Sequence, residues 1–205
     1  MSQATTTPMA AAINTQGAEA TKQLNQWMFD QIQPFLRGRT LELNSGLGAI
    51  STLFVEKGIT IHVSDAEKQY CDLLAKKFKG VATIRAIHKI DFHHSDFQKA
   101  HAESLGLFNI VFALNTAEHG LPDQGMIDNA KLLLPQGGLL IMVAPAYTSI
   151  FNGLDKNLGS WKIYNRESIE KTYGTDFEIL KTRYFNLVGG SGHYGLSVLA
   201  IGMKK

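Results

Sequence analysis

Apolar residues recur at helical intervals from about Thr21 to Leu36, where Leu24, Trp27, Met28, Ile32 and Phe35 share one face. The spacing predicts an amphipathic helix, ended by Arg37-Gly38-Arg39. Beyond it, short apolar runs alternate with helical patterns. Leu41–Asn44 reads as a strand and Ala49–Lys57 as a helix. Ile59–Ser64 is a second strand, and Glu67–Phe78 a helix with Tyr70, Leu73, Leu74 and Phe78 on one side. A third strand falls between Ala82 and Asp91, and a helix covers Phe97–Leu105. Asn109–Leu114 is a continuous apolar run, as expected of a strand buried on both faces. Gln124–Leu134 reads as a helix stopped by Pro135 and the turn Gln136-Gly137-Gly138, and Leu139–Ala144 as a fifth strand.

This alternation predicts a parallel α/β sheet with right-handed crossovers and helices on both faces. The end of the chain changes character. Phe177–Phe185 and Leu196–Met203 look like strands joined by a short segment carrying Gly189-Gly190-Ser191-Gly192, a connection that permits only a hairpin. The expected architecture is a mixed seven-stranded sheet, five parallel strands plus an antiparallel C-terminal hairpin. A single domain is expected over residues 21–205. Residues 1–20, rich in Ala, Thr, Gln and Ser, read as a flexible N-terminal arm.

Composition narrows the field. At 205 residues, 44% hydrophobic and 19% charged, the chain reads as an ordinary globular domain. A net charge of +2 without a dense Lys/Arg stripe argues against a nucleic-acid partner. Lys76, Lys77 and Lys79 read as a solvated helix end, where cations suit the dipole. The single Cys71 rules out an internal disulfide and a multi-cysteine zinc site, and reads as a half-buried structural thiol. No apolar run reaches bilayer length and no signal-peptide layout opens the chain, so no membrane partner and a cytoplasmic location are expected.

The chemistry concentrates between Thr40 and Ser51. A strand carrying Glu42 runs into Asn44-Ser45-Gly46-Leu47-Gly48, a turn of small residues that opens a helix. Such a turn lets backbone approach a nucleotide-like ligand. Asp65 ends the second strand, 65 − 42 = 23 residues after Glu42. It can accept hydrogen bonds from both hydroxyls of a ribose, or cap the helix that follows. Asn44 stands where glycine is usual, and Asn is among the least penalised residues at positive φ. Ser51 stands where the last glycine of a Gly-x-Gly-x-x-Gly dinucleotide motif would fall, which argues against a nicotinamide dehydrogenase.

On these residues the chain resembles the class I S-adenosylmethionine-dependent methyltransferases. Their first motif, acidic-x-Gly-x-Gly-x-Gly, is met as Glu42-Leu43-Asn44-Ser45-Gly46-Leu47-Gly48. Phe108 to Asn115, followed by Glu118-His119, is similar to the family's fourth strand and its Glu-His element. Leu132-Leu133-Leu134-Pro135-Gln136-Gly137-Gly138 is similar to the turn before its fifth strand. Val143–Tyr147, Phe151–Asp155 and Tyr184-Phe185-Asn186 resemble segments of the bacterial small-molecule type 11 and 12 group. The resemblance covers about Trp27 to the C-terminus. It implies a Rossmann-like fold and S-adenosyl-L-methionine as cofactor. It further implies that Glu42, Asn44, Ser45, Gly46 and Gly48 hold the amino acid end of that cofactor, with Asp65 on the ribose. Asp91-Phe92 would meet the adenine, with Asp96-Phe97 as the alternative, and Asn115 would face the methionine portion.

Two departures fall on the acceptor side. The family's Gly-His-Tyr-Arg-Arg-Tyr element appears as Gly159-Ser160-Trp161-Lys162-Ile163-Tyr164, and the stretch between the last two strands is short for that group. His119, after the fourth strand, reads as a general base or as a helix cap. Tyr147, Trp161, Tyr164 and His193 read as walls of an aromatic acceptor pocket or as packing residues. His88, His93, His94 and His101, near Asp91 and Asp96, repeat no single-face ligand spacing, so a solvated loop is expected rather than a metal site. The expected activity is O- or N-methylation of a small-molecule acceptor in secondary metabolism. Catalysis would rest on holding nucleophile and methyl about 3–3.5 Å apart and aligned. The alternative is a cofactor-binding protein that no longer methylates, cyclase-like or partner-binding. A homodimer is an assembly open to such a chain.

Overall fold

The computed structural model describes residues 8–114, 124–146, 164–188 and 194–205. Helix α1 (Pro8–Ile32) starts 21 − 8 = 13 residues ahead of the helix expected from Thr21. The expectation followed the apolar face, whereas the Ala-rich stretch is helical by intrinsic propensity and Pro8 suits a first helical position. Met28, Phe29 and Ile32 are the buried end of α1. Pro34 lies in the single 3-10 turn Gln33–Phe35 that follows.

The strands are β1 (Thr40–Glu42), β2 (Ile61–Asp65), β3 (Ile84–Lys89), β4 (Ile110–Ala113), β5 (Leu139–Ala146), β6 (Phe177–Val188) and β7 (Tyr194–Lys204). They form one seven-stranded sheet in the order β3-β2-β1-β4-β5-β7-β6. The first five strands are parallel, and β7 lies antiparallel to both β5 and β6. The expected Rossmann-like mixed sheet with a terminal hairpin is therefore the observed fold.

Period-2 alternation divides the sheet between two cores. Ile110 and Phe112 of β4 pack with Phe29, Ile50, Phe54 and Leu74 from α1, α2 (Ala49–Glu56) and α3 (Lys68–Lys77). Val111 and Ala113 point the other way, toward Phe97 of the short α4 (Phe97–Ala100), Met126 and Ala130 of α5 (Gln124–Leu133), and Tyr173 of α6 (Arg166–Tyr173). The sequence pattern did not reveal α6. Its marks are local: Asn165 and Ser168 form a reciprocal capping box, and Gly174 ends the helix. The expected helix over Phe97–Leu105 is shorter, one turn of α4 followed by the 3-10 turn Ala102–Ser104.

Candidate functional site

β1 lies at the point where the strand order reverses, with β2 on one side and β4 on the other, the place where open α/β sheets bind ligands. After Glu42 the backbone makes three left-handed steps, Asn44 at φ 49°, Gly46 at 53° and Gly48 at 71°. Asn44 is the one non-glycine residue with positive φ among the described residues. Its amide side chain makes that conformation tolerable. Gly48 is required for a second reason. A Cβ there would sit 2.8 Å from Phe78 Cε2 and 2.9 Å from Leu74 Cδ2. At Gly46 a Cβ would meet nothing within 4 Å, so that side of the turn is open.

Side chains beneath the turn hold its shape. The Ser45 N–H donates to the Ser64 carbonyl at 2.8 Å, and Ser64 Oγ donates to the Glu42 carbonyl at 2.8 Å. Lys77 Nζ, in the last turn of α3, donates to the carbonyls of Leu47 at 2.8 Å and Gly48 at 3.0 Å. Lys77 thus has a tethering role in addition to a place at a helix end. Ser51 Oγ donates to Glu42 Oε2 in a short hydrogen bond. Glu42 is only 4% exposed and lies under the turn. Burial pushes its carboxyl up to about 7, while hydrogen bonds from Ser51 and Ser45 and the charge of Lys77 oppose the shift. Ser51, which occupies the position of the missing dinucleotide glycine, is itself buried and committed to Glu42.

Beside the turn, at the carboxyl ends of β1, β2 and β3, lies a cavity of about 280 Å³. Asn44 lines it from the turn after β1, Asp65 from the end of β2 with Ala66 and Glu67 just beyond, Asp91, Phe92 and His93 from the loop after β3, and Met126 from α5. Four of the expected cofactor residues, Asn44, Asp65, Asp91 and Phe92, therefore meet in one cavity. Asp96 is exposed and does not line it. Glu42, Ser45, Gly46 and Gly48 form the base and shape of the turn and are not among the cavity's walls.

The Asp65 carboxylate, 2% exposed, ties two segments together. Oδ2 accepts the Gly46 N–H at 3.0 Å and Oδ1 accepts the Glu67 N–H at 3.0 Å. Helix α3 begins only at Lys68 with Glu67 as its cap residue, so Asp65 supports the approach to the helix without capping it. Each carboxylate oxygen still has an acceptor position for a ligand hydroxyl. Asp91, which lines the cavity, accepts the His93 N–H on Oδ1 at 2.9 Å. Ala66, Glu67, His93 and Met126 were not foreseen as cavity residues. Ala66 and Glu67 directly follow Asp65, and that adjacency was the available signal.

Tyr164, expected as an acceptor-pocket wall or a packing residue, is fully buried in the core with Ile169 and Tyr173. Packing is the role the structure gives it. Asn115, His119, Tyr147, Trp161 and His193 lie outside the described residues. His88 belongs to β3 and not to a solvated loop: its Nε2 lies 3.0 Å from His62 Nδ1 on β2, and both rings meet the edge of Phe108. Among the described residues no group of three or more His, Cys, Asp or Glu side chains is arranged to hold a metal ion. Cys71 is partly buried, with its Sγ 3.5 Å from the Asp65 carbonyl, and burial raises its thiol pKa, as suits a structural thiol. No helix among the described residues is long and apolar enough to cross a membrane.

No protein-family model and no curated protein matches this chain. Solved structures do. N-methyltransferase NodS from Bradyrhizobium japonicum is 15% identical, with 91% of this chain and 97% of that one covered at a TM-score of 0.61. A Haemonchus contortus phosphoethanolamine N-methyltransferase, solved with phosphomonomethylethanolamine and S-adenosylhomocysteine, is 14% identical at a TM-score of 0.65. Here 89% of this chain is covered but 52% of that one. The [4+2]-cyclase SpnF is 12% identical, with 91% and 82% covered at a TM-score of 0.68. The chain has the fold these proteins share.

Proposed function

We propose that this chain is an S-adenosylmethionine-dependent methyltransferase acting on a small-molecule acceptor by O- or N-methylation. The observation that carries the reading is the cavity in which Asn44, Asp65, Asp91 and Phe92 converge at the carboxyl ends of β1, β2 and β3. The donor set fits the cofactor: a buried carboxylate with acceptor capacity for ribose hydroxyls, a second carboxylate for an exocyclic amine, and a turn with one open face. When bound, S-adenosylmethionine supplies a methyl group on an already activated sulfonium leaving group.

The protein's part is then placement and exclusion of water. Asp65 fixes the turn and the ribose side at once, through its bonds to the Gly46 and Glu67 amides. Asp91 and Phe92 would hold the adenine, and the family resemblance assigns Asn115 to the methionine portion. His119 accepts the acceptor's proton where the acceptor is a hydroxyl or phenol. Tyr147 and Trp161 are the residues we assign to the acceptor side. Calorimetric titration with S-adenosylhomocysteine, followed by transfer of a labelled methyl group to a panel of phenols and amines, tests this. Preference for a nicotinamide dinucleotide over S-adenosylhomocysteine sinks it.

A second reading rests on the likeness to SpnF, a cyclase of this fold, together with the altered Gly159–Tyr164 element. In that reading the chain binds the cofactor without methylating. Tight S-adenosylhomocysteine binding with no methyl turnover across the whole panel favours it.

A further inference from the structure

Helix α5 meets the cofactor cavity at one residue and the loop beside it at another. Met126 lines the cavity. Asn129, 129 − 126 = 3 residues later and so on the same helix face, donates from Nδ2 to the Phe92 carbonyl at 2.7 Å. That bond joins α5 to the loop that follows β3. Among the described residues the loop is also tied within itself and to the neighbouring strand end. Asp91 accepts the His93 N–H on its side chain at 2.9 Å and the His94 N–H on its carbonyl at 3.2 Å. The Ile90 N–H donates to the Asp65 carbonyl at 3.1 Å. The buried Phe92 ring rests on Phe97, with ring centroids 5.5 Å apart.

We infer that Asn129 is a positioning residue for the purine end of the cofactor, an inference that rests on the S-adenosylmethionine reading. Asp91 and Phe92 together carry an acceptor carboxylate and a backbone N–H donor. Adenine presents the matching edge, an exocyclic amine that donates beside a ring nitrogen that accepts. A 6-oxo purine presents the reverse, an acceptor beside a donor. Discrimination between the two bases depends on how the Asp91-Phe92 peptide is held. Asn129 holds the peptide unit that follows, by the Phe92 carbonyl, a bond whose loss leaves a part-buried acceptor unpaired. Met126 on the same helix face adds the apolar wall. Through these two residues α5 sets base specificity from outside the loop that reads the base.

The test compares binding of S-adenosylhomocysteine and S-inosylhomocysteine, its 6-oxo analogue, by calorimetry to the full chain and to Asn129→Ala. The wild-type chain should prefer the adenosyl probe at least tenfold. In N129A the adenosyl affinity should fall about tenfold while the inosyl affinity changes far less, so that the preference collapses. A purely structural defect weakens both probes alike and leaves the ratio intact, and that result overturns the inference. So does a wild-type chain that binds both probes equally. If N129A does not fold, Asn129→Asp, isosteric but without the donor, is held to the same ratio. Failure of the wild-type chain to bind S-adenosylhomocysteine refutes the cofactor reading instead.

Discussion

Ser51 donates its hydroxyl to the buried carboxyl of Glu42, so the first turn of α2 is bonded to the end of β1. The carboxyl is raised from 4.5 to about 7 by burial, against the pull of that bond. The folded state therefore binds more protons than the unfolded state between these values. Glu42 contributes stability that is fully present below pH 4.5, declines as pH rises, and is gone above about 7. The span corresponds to roughly 3 kcal/mol. Glu42→Gln should remove this falling slope, so that stability at pH 8 relative to pH 5 is higher than in the wild-type chain, and urea midpoints at the two pH values check it. Ser51→Ala should cost about 1–2 kcal/mol, more at pH 8 than at pH 5, because the bond favours the charged form.

Asn44 holds φ at 49°. Asn44→Gly should be neutral to within about 1 kcal/mol, since glycine adopts this conformation without penalty. Asn44→Val should lose about 2 kcal/mol, because a β-branched side chain at positive φ is strained. Chemical denaturation of the two variants separates these outcomes. The usual motif glycine is thus replaced by the residue best able to imitate its backbone.

Gly46 and Gly48 separate binding from folding. Gly48→Ala forces a Cβ onto Phe78 and Leu74 as well as a strained φ, and should cost about 2–3 kcal/mol. Gly46→Ala meets no atom and carries only the backbone penalty, about 1 kcal/mol. It should weaken S-adenosylhomocysteine binding more than it lowers stability. Melting temperatures beside calorimetric affinities test the contrast.

The same two positions show what the sequence makes legible. Spaced glycines after a buried strand, and an acidic residue at the end of the next, mark the turn and Asp65 because backbone conformation and strand alternation are local properties. Helix α6 escaped the apolar pattern because only Ile169, Thr172 and Tyr173 of its residues are buried. Its caps, Asn165 and Gly174, were its legible marks. Long-range pairing leaves less trace. Nothing local to Asn129 shows that it reaches Phe92, and nothing local to Lys77 shows that it ties down the turn 77 − 48 = 29 residues before it.

Asp91 and Asp96 are both aspartates followed by phenylalanine, and only Asp91 lines the cavity. Asp91→Asn should weaken S-adenosylhomocysteine binding by about one to two orders of magnitude, the scale of a hydrogen bond to a charged group. Asp96→Asn should leave affinity unchanged, because its side chain is exposed and outside the cavity. Equal effects from the two substitutions would argue against this placement of the adenine.

His62 and His88 join β2 to the edge strand β3 through a 3.0 Å contact between ring nitrogens. Such a contact needs one ring to donate and the other to accept, which holds while at least one ring is neutral. Burial lowers both, His62 to about 4, helped by the charges of His88, Arg39 and Arg85. The folded state therefore binds fewer protons than the unfolded state below pH 6.5. The stability His62 contributes is present above that value and is lost as pH falls toward about 4. This slope runs opposite to that of Glu42, so the two partly cancel in the wild-type chain between pH 4.5 and 6.5. His62→Gln keeps a polar partner for His88 and removes the acid-sensitive ring. It should lose less stability than the wild-type chain between pH 7 and pH 5, with the difference read from urea midpoints at each pH. The double variant with Glu42→Gln should show the flattest profile, because both opposing slopes are then gone.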